Sequence, residues 1–409
     1  MSVIRSRYAA AVARASLSLL AACAGAGTPP STTAALPAAE TSTTLLVRLG
    51  ADTVAMEQYT RTPTHMEGTV VSRTPQVLVA RYAVDLGAGN APTRFEYSAR
   101  RGEGTPVAGQ PLSLVDRFAG DSLFLTAKRA AGDTMRAMVT RGELLPYVNN
   151  SWGLYELALT KLLASGRDSA QYALVPPNFA AATLPALLIR RLGTDSVRLT
   201  WFGSTLLMRH DGRGNLMGVD ASRTTAKVRV DRVATTDLGA LATSWTAREK
   251  TAGAAGPAST RDTVRAKIAA ANVWIDYGRP ALRGRNVWVN GVLGDTLWRT
   301  GANAATQLRT DAALTIGGAM VPAGTYTLWT ATTANGYQLV INKQFGQWGT
   351  AYDANRDLVR VPLAESPTPA PVERFTIGLV PQDGAQGGRS GVLMLAWGAK
   401  QLSVPVTAR

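Results

Sequence analysis

Residues 314–341, LTIGGAMVPAGTYTLWTATTANGYQLVI, contain two hairpin signals that decide the fold class. Gly317-Gly318 separates two short apolar segments, and Asn335-Gly336 separates two longer ones. Tight two-residue turns favour Gly-Gly and Asn-Gly because these residues adopt positive φ angles at little cost. The stretch therefore predicts consecutive antiparallel strands joined by short turns.

The same strand pattern continues through the C-terminal part of the chain. Apolar residues alternate with other residues at 359–363, 393–397 and 402–406, which is typical of strands with one buried face. Many short strands with closely spaced turns predict a β-sandwich over residues 261–409. Trp397 lies in one of these alternating strands, so we expect it to be a core residue.

The preceding part of the chain is also β-rich. Period-two alternation over residues 45–250 predicts an antiparallel β domain, and helical spacing of apolar residues predicts helices near 152–164 and 237–249. This domain is either open and barrel-like with an apolar interior, or a sheet wrapped on a helix with a filled core. Ala, Gly, Ser and Pro at 251–260 predict a linker. The predicted fold class is mainly β, with two antiparallel β domains.

The N-terminus carries the features of an export signal. Residues 1–22 begin with basic residues and end in a short apolar run, which is too short to span a bilayer of ~30 Å. Leu20-Ala21-Ala22-Cys23 resembles the lipobox of bacterial lipoproteins, which implies lipidation of Cys23. Residues 23–44 are rich in Ala, Thr, Pro and Ser and predict a flexible tether. A secretory leader with an incidental Cys is the alternative.

The charge of the chain excludes one class of partner. The net charge is +15, and removal of Arg5, Arg7 and Arg14 with the leader leaves 40 bases and 28 acids, or +12. A nucleic-acid-binding protein concentrates Lys and Arg in a stripe or run, whereas no run here exceeds two bases. We therefore expect no nucleic-acid partner, and a mildly basic surface that could associate with anionic polymers or lipid headgroups.

Several motifs over roughly residues 262–409 carry a family resemblance. They are Tyr277-Gly278-Arg279-Pro280, Gly284-Arg285, Trp298-Arg299-Thr300-Gly301-Ala302-Asn303, Pro322-Ala323-Gly324-Thr325-Tyr326, Asn342-Lys343 and Gln347-Trp348-Gly349. In this order they resemble the bacterial domain-of-unknown-function 2911 family, which implies an exported protein without a settled activity. The family usually has Glu-Ala-Thr after the Asn, where this chain has Ala304-Ala305-Thr306.

The polar and aromatic members of these motifs are the candidate ligand-binding residues. One interpretation is that Tyr277, Arg279, Arg299, Asn303 and Trp348 converge on a pocket at one end of the sandwich. The other is that the two Arg pair with acids and fix loops, with Tyr277 and Trp348 in the core. Those acids would be Asp276, Asp295 or Asp357. Trp348 stands between glycines in a polar loop and is the Trp most expected to be exposed.

No catalytic constellation is visible in the sequence. The chain has two His, far apart, and one Cys, so we predict no metal site and no cofactor. The leading hypothesis is a lipid-anchored, non-catalytic envelope protein at the outer membrane or periplasmic face that binds a saccharide, peptidoglycan or an apolar ligand. The alternatives are an envelope hydrolase using Asp and Arg groups of the C-terminal domain, and a structural partner in an envelope assembly.

Overall fold

The structure is a computed structural model that describes residues 42–177, 184–201, 204–222, 227–288, 297–382 and 388–408. Two antiparallel sheets account for most of these residues, so the predicted fold class is confirmed. Both sheets belong to a unit that spans Glu40–Arg409. Among the described residues, no helix has the length and apolar character needed to cross a membrane.

The first sheet has 15 strands in the order β8-β7-β6-β5-β4-β3-β2-β1-β15-β14-β13-β12-β11-β10-β9. The strands are β1 (Thr43–Leu49), β2 (Asp52–Arg61), β3 (His65–Ser72), β4 (Leu78–Leu86), β5 (Pro92–Arg101), β6 (Ser113–Ala119), β7 (Ser122–Lys128), β8 (Thr134–Val139), β9 (Glu143–Pro146), β10 (Ser169–Val175), β11 (Ala186–Arg191), β12 (Ser196–Trp201), β13 (Ser204–His210), β14 (Leu216–Asp220) and β15 (Val228–Val233). Nearly every strand pairs with its neighbour in sequence, which gives an up-and-down sheet whose two end strands are β8 and β9.

Helix α1 (Tyr155–Ser165) explains the one parallel pair of this sheet, β9 with β10. Parallel strands need a crossover connection, and α1 is that connection. Its side chains Leu157, Leu159 and Leu162 are buried in a core that also takes residues from both halves of the sheet, such as Phe95 and Leu199. The sheet is therefore wrapped on α1, and its inner face is filled by side chains.

The start of α1 differs from the sequence-based expectation. The apolar spacing placed Trp152 in the helix, with Asn150 or Ser151 as its cap, but the helix begins at Tyr155 and has no side-chain cap of its own. Glu57 on β2 replaces that cap: its carboxylate accepts hydrogen bonds from Ser151 Oγ (2.6 Å), Trp152 N (2.6 Å) and Gly153 N (2.9 Å). Glu57, 94 to 96 residues away in sequence, thus fixes the segment that leads into the helix.

The second helix, α2 (Leu238–Ala252), is longer than predicted. Asp237 caps it by accepting hydrogen bonds from Gly239 N (2.8 Å) and Ala240 N (3.0 Å). Its buried residues Leu238 and Ala242 pack on the outer face of the first sheet against Met56 and Val71. Because the helix continues to Ala252, only the segment between it and Ser259 connects the two sheets.

The second sheet has 10 strands. They are β16 (Ser259–Ile268), β17 (Ala271–Pro280), β18 (Leu297–Trp298), β19 (Thr306–Thr310), β20 (Leu314–Ile316), β21 (Ala319–Val321), β22 (Gly324–Thr333), β23 (Gly336–Asn342), β24 (Asp357–Pro381) and β25 (Ser390–Ala408). The order is β16-β17-β19-β22-β23-β24-β25-β20-β21, and β18 pairs with β22. The predicted hairpins at Gly317-Gly318 and Asn335-Gly336 are confirmed as the β20–β21 and β22–β23 pairs. Gly317 and Gly318 both have positive φ, as that turn requires.

The core of the second sheet is built around aromatic side chains. Trp298 contacts Phe375 with ring centroids 4.8 Å apart and stacks on Trp397 at 5.6 Å. Tyr277 meets Phe375 edge-on at 5.8 Å. All four residues are buried, as predicted for Trp397. Trp397 of this cluster also lines the cleft described next.

Candidate functional site: a cationic cleft between the two sheets

A cleft of about 470 Å³ lies where the two sheets meet. The first sheet and its loops contribute Leu49, Val54, Thr74, Pro75, Asn149, Asn150, Lys227 and Val228, and the later part of the chain contributes Pro257, Ala258, Ser259, Pro280, Arg285, Arg299, Gly301, Ala302, Asn303 and Trp397. Both contributions include apolar side chains, and three cations and three amides supply most of the polar groups. None of these lining residues is an Asp, Glu or His.

Glu57 positions the first pair of amides. Asn149 and Asn150 come directly before the segment whose donors the Glu57 carboxylate accepts. Glu57 also accepts from Tyr82 Oη at 2.7 Å and is fully buried. Burial raises the pKa of this carboxyl, although its hydrogen bonds act in the opposite direction. Asn150 itself has a φ of +63°, a conformation that Asn tolerates better than most residues.

The other side of the cleft is the tight loop from Arg299 to Asn303. Trp298 Nε1 donates to Gly301 O (2.9 Å), and Thr306 Oγ1 donates to Thr300 O (2.7 Å). Gly278 on β17 permits this loop to approach, since a Cβ there would lie 2.2 Å from Ala302 O. The Tyr-Gly-Arg-Pro and Trp-Arg-Thr-Gly-Ala-Asn motifs are thus structurally linked, with glycine where their backbones meet.

Three polar atoms of the cleft residues lack hydrogen-bond partners among the described residues. They are Arg299 Nε, Trp397 Nε1 and Thr74 Oγ1, and all three are buried. A buried polar group without a partner costs about 1–3 kcal/mol, and more when it is charged. Two of the three atoms can only donate, so the missing partner is a hydrogen-bond acceptor.

Two of the cleft cations, Arg299 and Arg285, carry a burial cost, which the charge of Glu373 offsets in part for Arg285. Burial alone lowers the pKa of Arg299 to about 10. Burial, followed by the neighbouring charge of Arg283, lowers the pKa of Arg285 to about 10. Arg285 donates to the carbonyls of Leu282 (Nε, 2.8 Å) and Ala281, which hold its guanidinium in place. An anion in the cleft would offset these burial costs.

Gly349 holds the Arg299 side chain against the loop. A Cβ at this position would lie 2.0 Å from Arg299 Cδ and 2.5 Å from Asn303 O. The backbone N of Gly349 donates to the same Asn303 oxygen at 3.0 Å. Glycine is therefore required for the Gln347-Trp348-Gly349 motif to pack on Arg299, which explains why these two motifs lie together in the fold.

The structure brings two of the five predicted site residues together and separates the others. Arg299 and Asn303 line the cleft. Tyr277 is 1% exposed, and its hydroxyl accepts from Ile377 N at 3.1 Å. Arg279 donates to Asp262 (3.0 Å), Thr376 Oγ1 (3.0 Å) and Phe375 O (3.2 Å), so it joins β16, β17 and β24.

Trp348 and the described candidate acids are not among the lining residues. Trp348 is 51% exposed, as expected, in the loop whose Gly349 packs on Arg299. Asp276 forms an ion pair with Arg261 (2.7 Å), and Asp357 accepts from Tyr352 and Arg360 (2.8 Å to the Arg). Asp295 and Cys23 lie outside the described residues. Asp276 and Asp357 therefore do not pair with Arg279 or Arg299, the partners considered from the sequence.

Sequence reasoning missed Lys227, Arg285, Trp397 and the two Asn as cleft residues. Only Arg285 had a signal, as part of the quoted Gly284-Arg285 motif. Asn149, Asn150 and Lys227 belong to the first sheet and its loops, and Trp397 lies on a core strand of the second sheet. Among the described residues, no group of three or more His, Cys, Asp or Glu side chains is placed to hold a metal ion.

Comparisons with known proteins support the family resemblance and go no further. Residues 259–406 match the family described as "Protein of unknown function (DUF2911)", which confirms the resemblance predicted for the C-terminal part. No curated protein matches. A solved DUF1089 family protein from Pseudomonas aeruginosa is similar over 41% of this chain and 90% of its own, with 10% identity and a TM-score of 0.31.

Proposed function

We propose that this chain is an exported, lipid-anchored protein that binds an anionic ligand in the cleft between its two sheets, without catalysis. The observation that carries the proposal is Arg299, a desolvated guanidinium in a cleft with no acid among its described lining residues. A buried cation without a counterion is unfavourable, and a carboxylate, phosphate or sulfate group would relieve that cost through charge-assisted hydrogen bonds.

The other cleft residues define what the ligand offers around its charge. Trp397 Nε1 needs an acceptor, and Asn149, Asn150 and Asn303 can both donate and accept. These groups suit the hydroxyls and acidic groups of a saccharide, while Leu49, Val54 and Val228 suit an apolar part of the molecule. The chemistry therefore narrows the saccharide and peptidoglycan hypothesis to an acidic ligand.

Binding is proposed rather than hydrolysis because of the composition of the lining. A hydrolase needs a general acid or base within hydrogen-bond reach of its substrate. The described residues that line the cleft include no carboxylate and no imidazole, and Asp276 and Asp357 are engaged elsewhere.

The cleft is tested with inorganic phosphate as the probe. Thermal unfolding of the folded chain is followed with and without phosphate, at constant ionic strength, for the wild type, Arg299→Met and Arg198→Gln. Met keeps an unbranched stem against Gly349 but removes the charge, and the exposed Arg198 on β12 is the control. At 100 times the Kd, phosphate should stabilise the wild type and the control by about 2.7 kcal/mol.

Arg299→Met should lose this stabilisation. Equal phosphate effects on all three proteins would show that phosphate acts through the general basic surface, and the cleft proposal would then be wrong. An absence of any phosphate effect, repeated with acetate and sulfate, would contradict it as well.

The lipid anchor is tested separately at Cys23. Cys23→Ala in the producing bacterium should abolish labelling by a fatty-acid analogue and move the protein from the detergent phase to the aqueous phase, because acyl chains supply the membrane affinity. An unchanged partition would contradict the anchor while leaving the cleft proposal intact.

A further inference from the structure

A second cavity adjoins the cleft. It has a volume of about 620 Å³ and is lined by Arg48, Lys227, Arg229, Asp231, Arg285 and Asn286, together with small and apolar residues. Lys227 and Arg285 line both cavities. The two spaces therefore meet at a pair of cations, one from the segment before β15 and one from the Gly284-Arg285 motif.

The second cavity is also basic, but its charges are arranged differently. Four of its lining residues are cations and one is an acid. Arg48 pairs with that acid, Asp231, at 2.5 Å, whereas Arg229 lies 3.6 Å from Asp220 and is largely exposed. Such an exposed pair is weak and exchanges readily with other anions. Arg229 is therefore available to a ligand in the second cavity, as Arg299 is to a ligand in the cleft.

We propose that the two cavities form one binding path for an extended ligand that carries at least two anionic groups. This inference rests on the proposed function of the cleft. The first anionic group contacts Arg299, and the second lies among Lys227, Arg285 and Arg229. An acidic oligosaccharide and a short polyphosphate share this chemistry, namely anionic groups repeated along a chain.

The advantage of two anionic groups follows from their linkage. Once the first group is held at Arg299, the second binds as an intramolecular event at a high effective concentration. A single anion cannot use both ends of the path, so its affinity should not depend on Arg229. A linked dianion should lose its added affinity when Arg229 is removed. The salt dependence of the dianion should also be steeper, because it engages more exposed charges.

The experiment compares one and several anionic groups of the same chemistry. Calorimetric Kd values are measured for inorganic phosphate against tripolyphosphate, and for galacturonate against tetragalacturonate. The proteins are the wild type, Arg299→Met, Arg229→Gln and the control Arg198→Gln. In at least one pair, the longer probe should bind the wild type about tenfold tighter or more. The pair that shows this gain identifies the anionic group.

The variants separate this proposal from the function of the cleft. Arg229→Gln should remove the added affinity of the longer probe and leave the affinity for the single anion unchanged. Arg299→Met should weaken the binding of both the single anion and the longer probe. If single anions bind through Arg299 but the longer probes gain nothing, or keep their gain in Arg229→Gln, the extended path is wrong and the cleft remains. If no probe binds in an Arg299-dependent way, both proposals fail.

Discussion

Asp116 should make this protein less stable at neutral pH than at mildly acidic pH. The residue lies on β6 between Phe95 on β5 and Leu125 on β7, and it is fully buried. Neither of its carboxylate oxygens has a hydrogen-bond partner among the described residues. Burial raises the pKa of this carboxyl from 3.8 to about 7. The folded chain therefore retains a proton that the unfolded chain releases.

The sign and size of the effect follow from this difference. Below the unfolded pKa both states are protonated, and the residue has no pH-dependent effect. As the pH rises towards 7 the unfolded state ionises first, so the free energy of unfolding decreases. A difference of about three pKa units corresponds to roughly 4 kcal/mol in the free energy of unfolding. This amount is fully lost once the pH exceeds the pKa of the folded state.

Urea unfolding between pH 4 and 8, followed by circular dichroism, measures this effect. Asp116→Asn has no titrating group and should be more stable than the wild type by roughly 4 kcal/mol at pH 8, but similar to it at pH 4. Asp116→Leu should be about 1–3 kcal/mol more stable than Asp116→Asn at every pH, because it also removes the buried polar group without partners. Parallel pH profiles for the wild type and Asp116→Asn would refute the reasoning.

Two further substitutions test how the cleft is built. Glu57→Ala leaves the donors of residues 151–153 without their acceptor and should lower the free energy of unfolding by about 3 kcal/mol or more, whereas Glu57→Gln keeps one carbonyl oxygen and should cost less. A similar loss in both variants in urea unfolding would argue against this capping role. Gly349→Ala places a Cβ 2.5 Å from Asn303 O, so it should cost about 1–3 kcal/mol and weaken phosphate binding. Gly193→Ala, where the nearest atom would be 4.0 Å away, is the matched control and should do neither.

The strand pattern and the hairpins could be predicted because they depend on local properties. Gly317-Gly318 and Asn335-Gly336 select their turns through backbone φ preferences that neighbouring residues do not change. Burial of Trp397 follows in the same way from its position in an alternating strand. The parallel β9–β10 pair could not be predicted, because nothing local distinguishes a short edge strand that pairs across a helix.

The start of α1 and the composition of the cleft depend on distant residues. Trp152 has helical spacing, but Glu57 binds its backbone N and holds the segment outside the helix. Lys227 and Arg299 are far apart in sequence and meet only because the two sheets pack together. The family motifs identified Arg299 and Asn303 as notable, yet motif membership alone could not tell which residues face a cavity.

Arg279 and Arg299 differ in how the structure compensates their guanidinium groups. Both lie in motifs that resemble the same family, and the sequence allowed a structural or a functional role for the pair. Arg279 has acceptors for three of its atoms, including the carboxylate of Asp262, and so it stabilises the folded chain by itself. Arg299 has no ion-pair partner among the described residues, and its buried Nε has no acceptor there. Since an uncompensated buried cation destabilises the free protein, any ligand that supplies the missing charge gains the relief of that cost as binding energy. The contacts of Arg279 therefore fit the structural interpretation, and the proposed function assigns the binding interpretation to Arg299.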